Sequence, residues 1–213
     1  MTAVATTDAQ LRELIADERR ALSAVLAELP DASWDAPTLC AGWRVRELVA
    51  HMTMPFRYST PRFLMELARS GFRFHAMADR LARRDALMPP ADLLAGLREH
   101  ADFPWKPPGG GFEGALTHDV VHGLDFTVPL GLGRRVSSRA LAVVLPNVAT
   151  PGTLKHFDVD LTGVELRADD LDWSYGSGHR VSGSAQDLLL VLCGRRLPAG
   201  SLSGDAASRF TAG

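Results

Sequence analysis

From Thr7 to Leu29 the apolar residues fall at Leu11, Leu14, Ile15, Leu22, Val25, Leu26 and Leu29, in steps of three and four. That spacing lays them along one stripe of an amphipathic helix, with Thr7 or Asp8 placed to cap it and Pro30 to stop it. A turn-rich stretch runs from Asp31 to Gly42, and Arg44 opens a second periodic segment, Val45, Leu48, Val49 and Met52, that reaches Pro55. The pattern predicts a third helix from about Arg62 to Leu81, carrying Phe63, Leu64, Leu67 and Phe74, and a short one from Asp92 to His100. Pro104-Trp-Lys-Pro-Pro-Gly-Gly-Gly111 breaks regular structure. Beyond it Phe112, Leu116, Val120 and Val121 are spaced for burial on a further helix, Phe112 to Leu124. Together these segments predict a helical bundle of about 130 residues, the size of one domain.

Past Pro129 to Arg135 the texture changes. Ser137 to Leu145 reads as a short helix. Phe157 to Leu161, Val164 to Ala168 and Leu171 to Tyr175 read as short strands parted by turn signals, and His179 to Val181 adds another. Leu188 to Cys193 reads as a buried helix with a serine cap ahead of it and Gly194 as its stop, a strand being the alternative. The chain therefore divides into residues 1–133, a bundle, and residues 134–213, a small α+β unit whose last residues, 203 to 213, are expected to fray.

Composition narrows the function. The 213 residues are 46% apolar and 23% charged, with a formal net charge of −2, which suits a globular protein and excludes a strongly basic nucleic-acid binder. No apolar run exceeds the six residues of Leu188 to Cys193, far below the roughly 20 of a membrane span. Met1 to Gln10 lacks the pattern of a secretory signal, and two cysteines, Cys40 and Cys193, build neither a disulfide framework nor a cysteine zinc site, so a cytoplasmic location is expected.

His118 and His122 stand four apart in Thr117-His-Asp-Val-Val-His-Gly123. On a helix such a pair shares one face, about 5–6 Å apart at Cβ, and two imidazoles so placed can bind one divalent ion. His51, on the second predicted helix, would make a three-ligand site inside the bundle, leaving a coordination position free for water or substrate. Packed or capping histidines fit the same spacing. Asp119 and Asp125 are read first as surface carboxylates, with acceptance of a ligand N–H as the alternative. Arg195 and Arg196 either present a guanidinium to a carboxylated substrate or thiol cofactor, or cap a solvated helix end. Arg57 and Arg62 are read as exposed, Cys40 as a small buried residue, and Trp34 and Trp43 as plugs for the interhelix turn.

Trp34-Asp-Ala-Pro-Thr-Leu-Cys-Ala-Gly-Trp43-Arg-Val-Arg-Glu-Leu-Val-Ala-His51 resembles the signature of the mycothiol-dependent maleylpyruvate isomerase family of the DinB-like superfamily. His118-Asp-Val-Val-His122-Gly-Leu-Asp125 followed by Pro129-Leu-Gly131 is similar to that family's fourth-helix motif. Val181 to Arg195 is similar to the last segment of its smaller C-terminal domain. The resemblance implies a mainly α protein with an α+β part: a DinB-like four-helix bundle followed by a small, sterol-carrier-like α/β domain. It implies a divalent metal, commonly zinc, at His51, His118 and His122, and a metal-dependent enzyme that activates a low-molecular-weight thiol. Mycothiol is the implied thiol, used for S-transfer to, or thiol-assisted isomerisation of, a small electrophile. In the isomerase the first member of the fourth-helix pair is a glutamate, where this chain has His118. Three neutral imidazoles leave a bound ion its full charge, one unit more than a set containing a carboxylate, which favours ionisation of a bound thiol. The competing expectation is a non-catalytic ligand-binding or regulatory protein of the same fold. The expected partners are small molecules, with no nucleic acid and no membrane, in a monomer or homodimer.

Overall fold

The computed structural model describes residues 6–212; Met1–Ala5, the start of the stretch read for a targeting signal, and Gly213 lie outside it. The first helix, α1 (Asp8–Ala27), opens with a capping box: the Thr7 hydroxyl accepts from Gln10 N–H, and the Gln10 side chain accepts from Thr7 N–H. Leu11, Leu14, Ile15, Leu22 and Leu26 are buried on the predicted stripe. A single 3-10 turn, Asp31–Asp35, buries Trp34, and α2 (Val45–Met52) and the one-turn α3 (Met54–Arg57) follow. Pro55 sits in the first turn of α3, where its missing N–H costs nothing.

The predicted third helix is two helices, α4 (Thr60–Arg69) and α5 (Phe74–Asp85). Gly71 (φ 62°) and Phe72 (φ 59°) turn left-handed, and Phe72 N–H donates to Leu67 O at 3.0 Å, which closes α4 before Leu81 can be reached. Next come α6 (Pro90–Glu99) and α7 (Gly111–Thr127). The bundle is a ring of α1, α7, α2 and α6, each touching the next. Thus the short helix after Pro89-Pro90 is a full bundle member, whereas α5 packs on the outside of α2 and α4 on α5.

The second part contains α8 (Ser138–Val148), α9 (Pro151–His156), a three-stranded sheet and α10 (Ala185–Leu192). Strands β1 (Val164–Ala168), β2 (Ser174–Gly176) and β3 (His179–Gly183) lie in the order β2-β1-β3, with β1 antiparallel to β2 and parallel to β3. The expected strand from Phe157 to Leu161 does not form: Thr153-to-Phe157 hydrogen bonding continues the turn of α9, and Val159 N–H closes back on Leu154 O. Nor does the C-terminus fray. Leu197 pairs with the chain around Phe210 and Ala212, and Phe210 is buried. α10 is buried along its length and shares one hydrophobic cluster with α1, α7, α8, β1 and β3, so the second part is built directly onto the bundle. No helix among the described residues is long and apolar enough to cross a membrane.

The tight path from β2 to β3 rests on Gly178, at φ 129°, where a Cβ would stand 2.2 Å from Gly163 O. Gly163, at φ 69°, has open space around it. Gly178→Ala is therefore expected to destabilise by about 3 kcal/mol, and Gly163→Asn by only about 1 kcal/mol. Denaturant unfolding of both variants measures the difference; equal losses would contradict this account of the turn.

Candidate metal centre

α7 carries His118 and His122 one turn apart, and it lies close on α1 because Gly123 has no side chain: a Cβ there would meet Leu22 Cδ2 at 2.7 Å. α2 meets α7 in the ring and brings His51, in its last turn, to the same place. The three rings sit at centroid separations of 5.1 Å (His51–His118), 5.0 Å (His51–His122) and 4.7 Å (His118–His122). Their ligand nitrogens all lie within 4.8 Å of one another. The three residues singled out on helical spacing are brought to one spot.

Two carboxylates hold two of the rings from behind. His118 Nδ1 lies 2.9 Å from Asp119 Oδ1, and His122 Nδ1 lies 3.0 Å from Asp125 Oδ2. Both aspartates are buried, and each is held by an arginine: Arg19 Nε donates to Asp119 at 2.7 Å, and Arg195 donates to Asp125 through Nε and Nη2, both at 2.9 Å. Burial pushes each carboxyl up, but the bonds and charges of its histidine and arginine outweigh it and hold the group below the usual carboxylate range. An ionised carboxylate only accepts, so the facing Nδ1 carries the hydrogen, and a neutral ring in that arrangement turns the Nε2 lone pair inward. Burial, with the neighbouring rings adding, drives His51 well below its ordinary value of 6.5. Burial also lowers His122, the Asp125 bond offsetting part of the effect.

These residues fit a divalent cation. His51 Nε2 and His118 Nε2 are 3.2 Å apart, close to the roughly 3.3 Å edge of a tetrahedron whose metal–nitrogen bonds are about 2.0 Å. Imidazole donors suit zinc, copper, nickel or iron, and three ligands leave a position free. His51 Nδ1 is buried without a partner among the described residues, so nothing ties that ring to a competing orientation. The His118 and His122 side chains keep 15% exposure each, and Trp43 and Trp105 stand as walls, their rings 5.0 Å from His51 and 5.2 Å from His118.

Several expectations need correction. Asp119 and Asp125 are not surface carboxylates; they are the acceptors behind the rings. Arg195 is not at a solvated helix end: its guanidinium is engaged by Asp125 and by Cys193 O, with 13% of the side chain exposed. Arg196 does reach solvent, donating to Thr211 O. Arg57 is half-buried on Asp85 and Ala50 O, while Arg62 is exposed over Tyr58. Trp43 is half-buried and donates to Asp79 at 2.8 Å. Burial pushes the Cys40 thiol up to about 11, which suits a packed residue and not a nucleophile. Arg19 and Trp105 were not legible as site residues. Arg19 does stand in the apolar stripe, between Ile15 and Leu22, and a cation in a stripe of buried positions is the signal that marks it.

Residues 15–102 match the model of a family described as Mycothiol maleylpyruvate isomerase N-terminal domain. His51 lies inside the matched residues, and His118 and His122 lie beyond them. Two solved structures share the fold over 95% of this chain and 94% of theirs. One is the mycothiol-dependent maleylpyruvate isomerase with a histidine replaced by alanine (TM-score 0.62, 15% identity), the other the mycothiol-dependent maleylpyruvate isomerase (TM-score 0.59, 16% identity). A search of curated proteins gives no match. The shared fold therefore reaches past the matched residues into the sheet and α10.

His51 and His122 stay neutral in the folded chain at pH values where the unfolded chain begins to take up protons. Below an ordinary histidine value near 6.5 the unfolded state binds more protons, so the stability that these rings contribute is whole above that pH and is lost on acidification. In metal-free protein the urea midpoint is expected to fall between pH 7.5 and 5.5, and to fall less in His51→Gln. A midpoint that is flat across this range, or equally steep in the variant, would contradict it.

Proposed function

We propose that this chain is a metal-dependent enzyme that activates a low-molecular-weight thiol, mycothiol, for S-transfer to, or thiol-assisted isomerisation of, a small electrophilic substrate. The observation that carries the reading is the convergence of His51, His118 and His122 on one spot. The names of the matching family and of the two solved structures support mycothiol as the thiol and an isomerase-type reaction as one outcome. The three histidines would hold a divalent ion, zinc being the favoured one. Bound there, it supplies the positive charge that ionises a coordinating thiol.

The chain's own groups do the rest. Asp119 and Asp125 keep the Nδ1 hydrogens in place, so the inward lone pairs do not depend on solvent. Trp43 and Trp105 narrow the approach and shield the sulfur from water. Arg195 retains one hydrogen on each terminal nitrogen beyond its bonds to Asp125 and Cys193 O, which a carboxylated substrate would accept. The thiol gives its proton to solvent and sulfur bonds to the electrophilic carbon, displacing a π pair or the electron pair of the bond to the leaving group. In transfer that bond persists as a leaving group departs; in isomerisation it breaks again and the thiol is returned. Residues 1–133 form the metal-binding bundle in this reading, and residues 134–213 close it through Arg195, in a cytoplasmic monomer or homodimer.

Protein purified without chelator is expected to hold about one zinc per chain by elemental analysis, and His51→Ala, His118→Ala and His122→Ala each to lose most of it, since each removes one of three ligands. Incubated with mycothiol and maleylpyruvate, a haloaromatic or an epoxide, the metal-loaded protein should consume thiol or convert substrate faster than the metal-free form. Absence of metal from the wild type, or equal rates with and without it, would overturn the reading.

A further inference from the structure

Arg19 is the largest fully buried side chain among the described residues, with no exposure at all. It sits on α1, a bundle helix that supplies no imidazole, at a place where the stripe Ile15, Leu22, Leu26 calls for an apolar residue. Burying a guanidinium there is unfavourable unless its bonds are well made, and an apolar residue of similar volume often serves stability as well. Its contacts show where the side chain is committed. Nε donates to Asp119 Oδ2 at 2.7 Å. Nη1 reaches Phe103 O at 2.8 Å and the carbonyls of His100 and Ala101 at 3.3 Å. The guanidinium lies 4.9 Å from the centre of the Phe56 ring, which itself stacks on His100.

One planar fork thus joins two pieces that both touch His118. Through Asp119 it holds the acceptor of the His118 Nδ1 hydrogen. Through the three carbonyls it holds the segment from His100 to Phe103, and Trp105, whose backbone N–H donates to Phe103 O, sets its ring against His118. A carboxylate with two free rotors would leave the imidazole loosely aimed; one fixed by a rigid guanidinium does not.

We propose that Arg19 is a positioning residue for the metal centre, aiming His118 through Asp119 and at the same time docking the 100–105 segment that places Trp105 as the wall of the site. The proposal rests on the metal reading above. It is specific to a chain whose ligand at this position is a histidine, since only a ring with a second N–H needs an acceptor behind it.

The test is zinc affinity by competition with a chromophoric chelator, together with thermal unfolding, for wild type, Arg19→Met, Arg19→Lys and Glu18→Gln. Glu18→Gln removes the charge from the neighbouring buried pair of α1 with Arg134 (2.6 Å) and controls for loss of a buried charge pair on the same helix. Arg19→Met is expected to weaken zinc binding about 10-fold, and Asp119→Asn by about 10- to 100-fold, the range typical of groups behind a ligand. Glu18→Gln should lower the melting temperature with zinc affinity unchanged. Arg19→Lys keeps the charge but cannot span Asp119 and the carbonyls, so about a threefold or greater loss is expected there, and this variant decides the matter if the methionine form does not fold. Tryptophan emission supplies a second readout. Its change on zinc binding, measured against Trp105→Phe, should shrink in Arg19→Met. Wild-type zinc affinity in the folded Arg19 variants would overturn the proposal and leave the metal reading intact, whereas a wild type that binds no zinc would overturn both.

Discussion

An imidazole binds a divalent cation through a lone pair, so a histidine centre depends on rings that are neutral and turned the right way before the ion arrives. In this chain two buried aspartates fix which way the His118 and His122 rings are turned, and burial disfavours the charged form of His122 and His51. The aspartates in turn would be untenable alone in the interior, where an unpaired charge costs several kcal/mol by the usual order of magnitude, roughly 3–5 kcal/mol when a partner is removed. Arg19 answers Asp119 and Arg195 answers Asp125. Two negative and two positive charges cancel, so the three rings pass no net negative charge to whatever they hold.

That arrangement explains features of the fold that would otherwise look unrelated. Arg19 comes from α1 and Arg195 from just past α10, so the two ends of the chain both reach the centre. The loop before α2 bonds it as well, Leu39 N–H donating to Asp125 O at 2.8 Å. The hydrophobic cluster that joins α10 to α1 and α7 keeps Arg195 at its post, and Gly123 lets α7 approach α1 closely enough for Arg19 to reach Asp119. Packing and site are one construction. A change that loosens the α1–α7 contact reaches the imidazoles through a salt bridge and not through a cavity.

Much of this was legible in the residues. The three-and-four spacing of α1, the Thr7 cap, the second and last bundle helices and β1 all follow local rules, and His118 and His122 share a face because four residues make about one turn. What escaped was decided by tertiary contact. Asp119 and Asp125 look like surface carboxylates until α7 is known to be buried on that side. Arg195 looks like a helix-end cation until the loop after α10 folds over Asp125. The break at Gly71 and Phe72 was hidden because the apolar pattern runs on through it, and Phe157 to Leu161 has strand-like residues whose backbone is taken up by the turn that closes α9, Phe157 N–H on Thr153 O and Val159 N–H on Leu154 O. The place of α6 in the ring cannot be read from its length, since a ten-residue helix fills a bundle position when Leu93 and Leu97 are both buried.

X-ray absorption at the zinc edge of the loaded protein tests the central claim most directly. Three imidazole nitrogens at about 2.0–2.1 Å and one light oxygen are predicted, the oxygen giving way to sulfur at about 2.3 Å when mycothiol is added. A spectrum with fewer than three imidazoles, or a sulfur shell already present without thiol, would contradict the account.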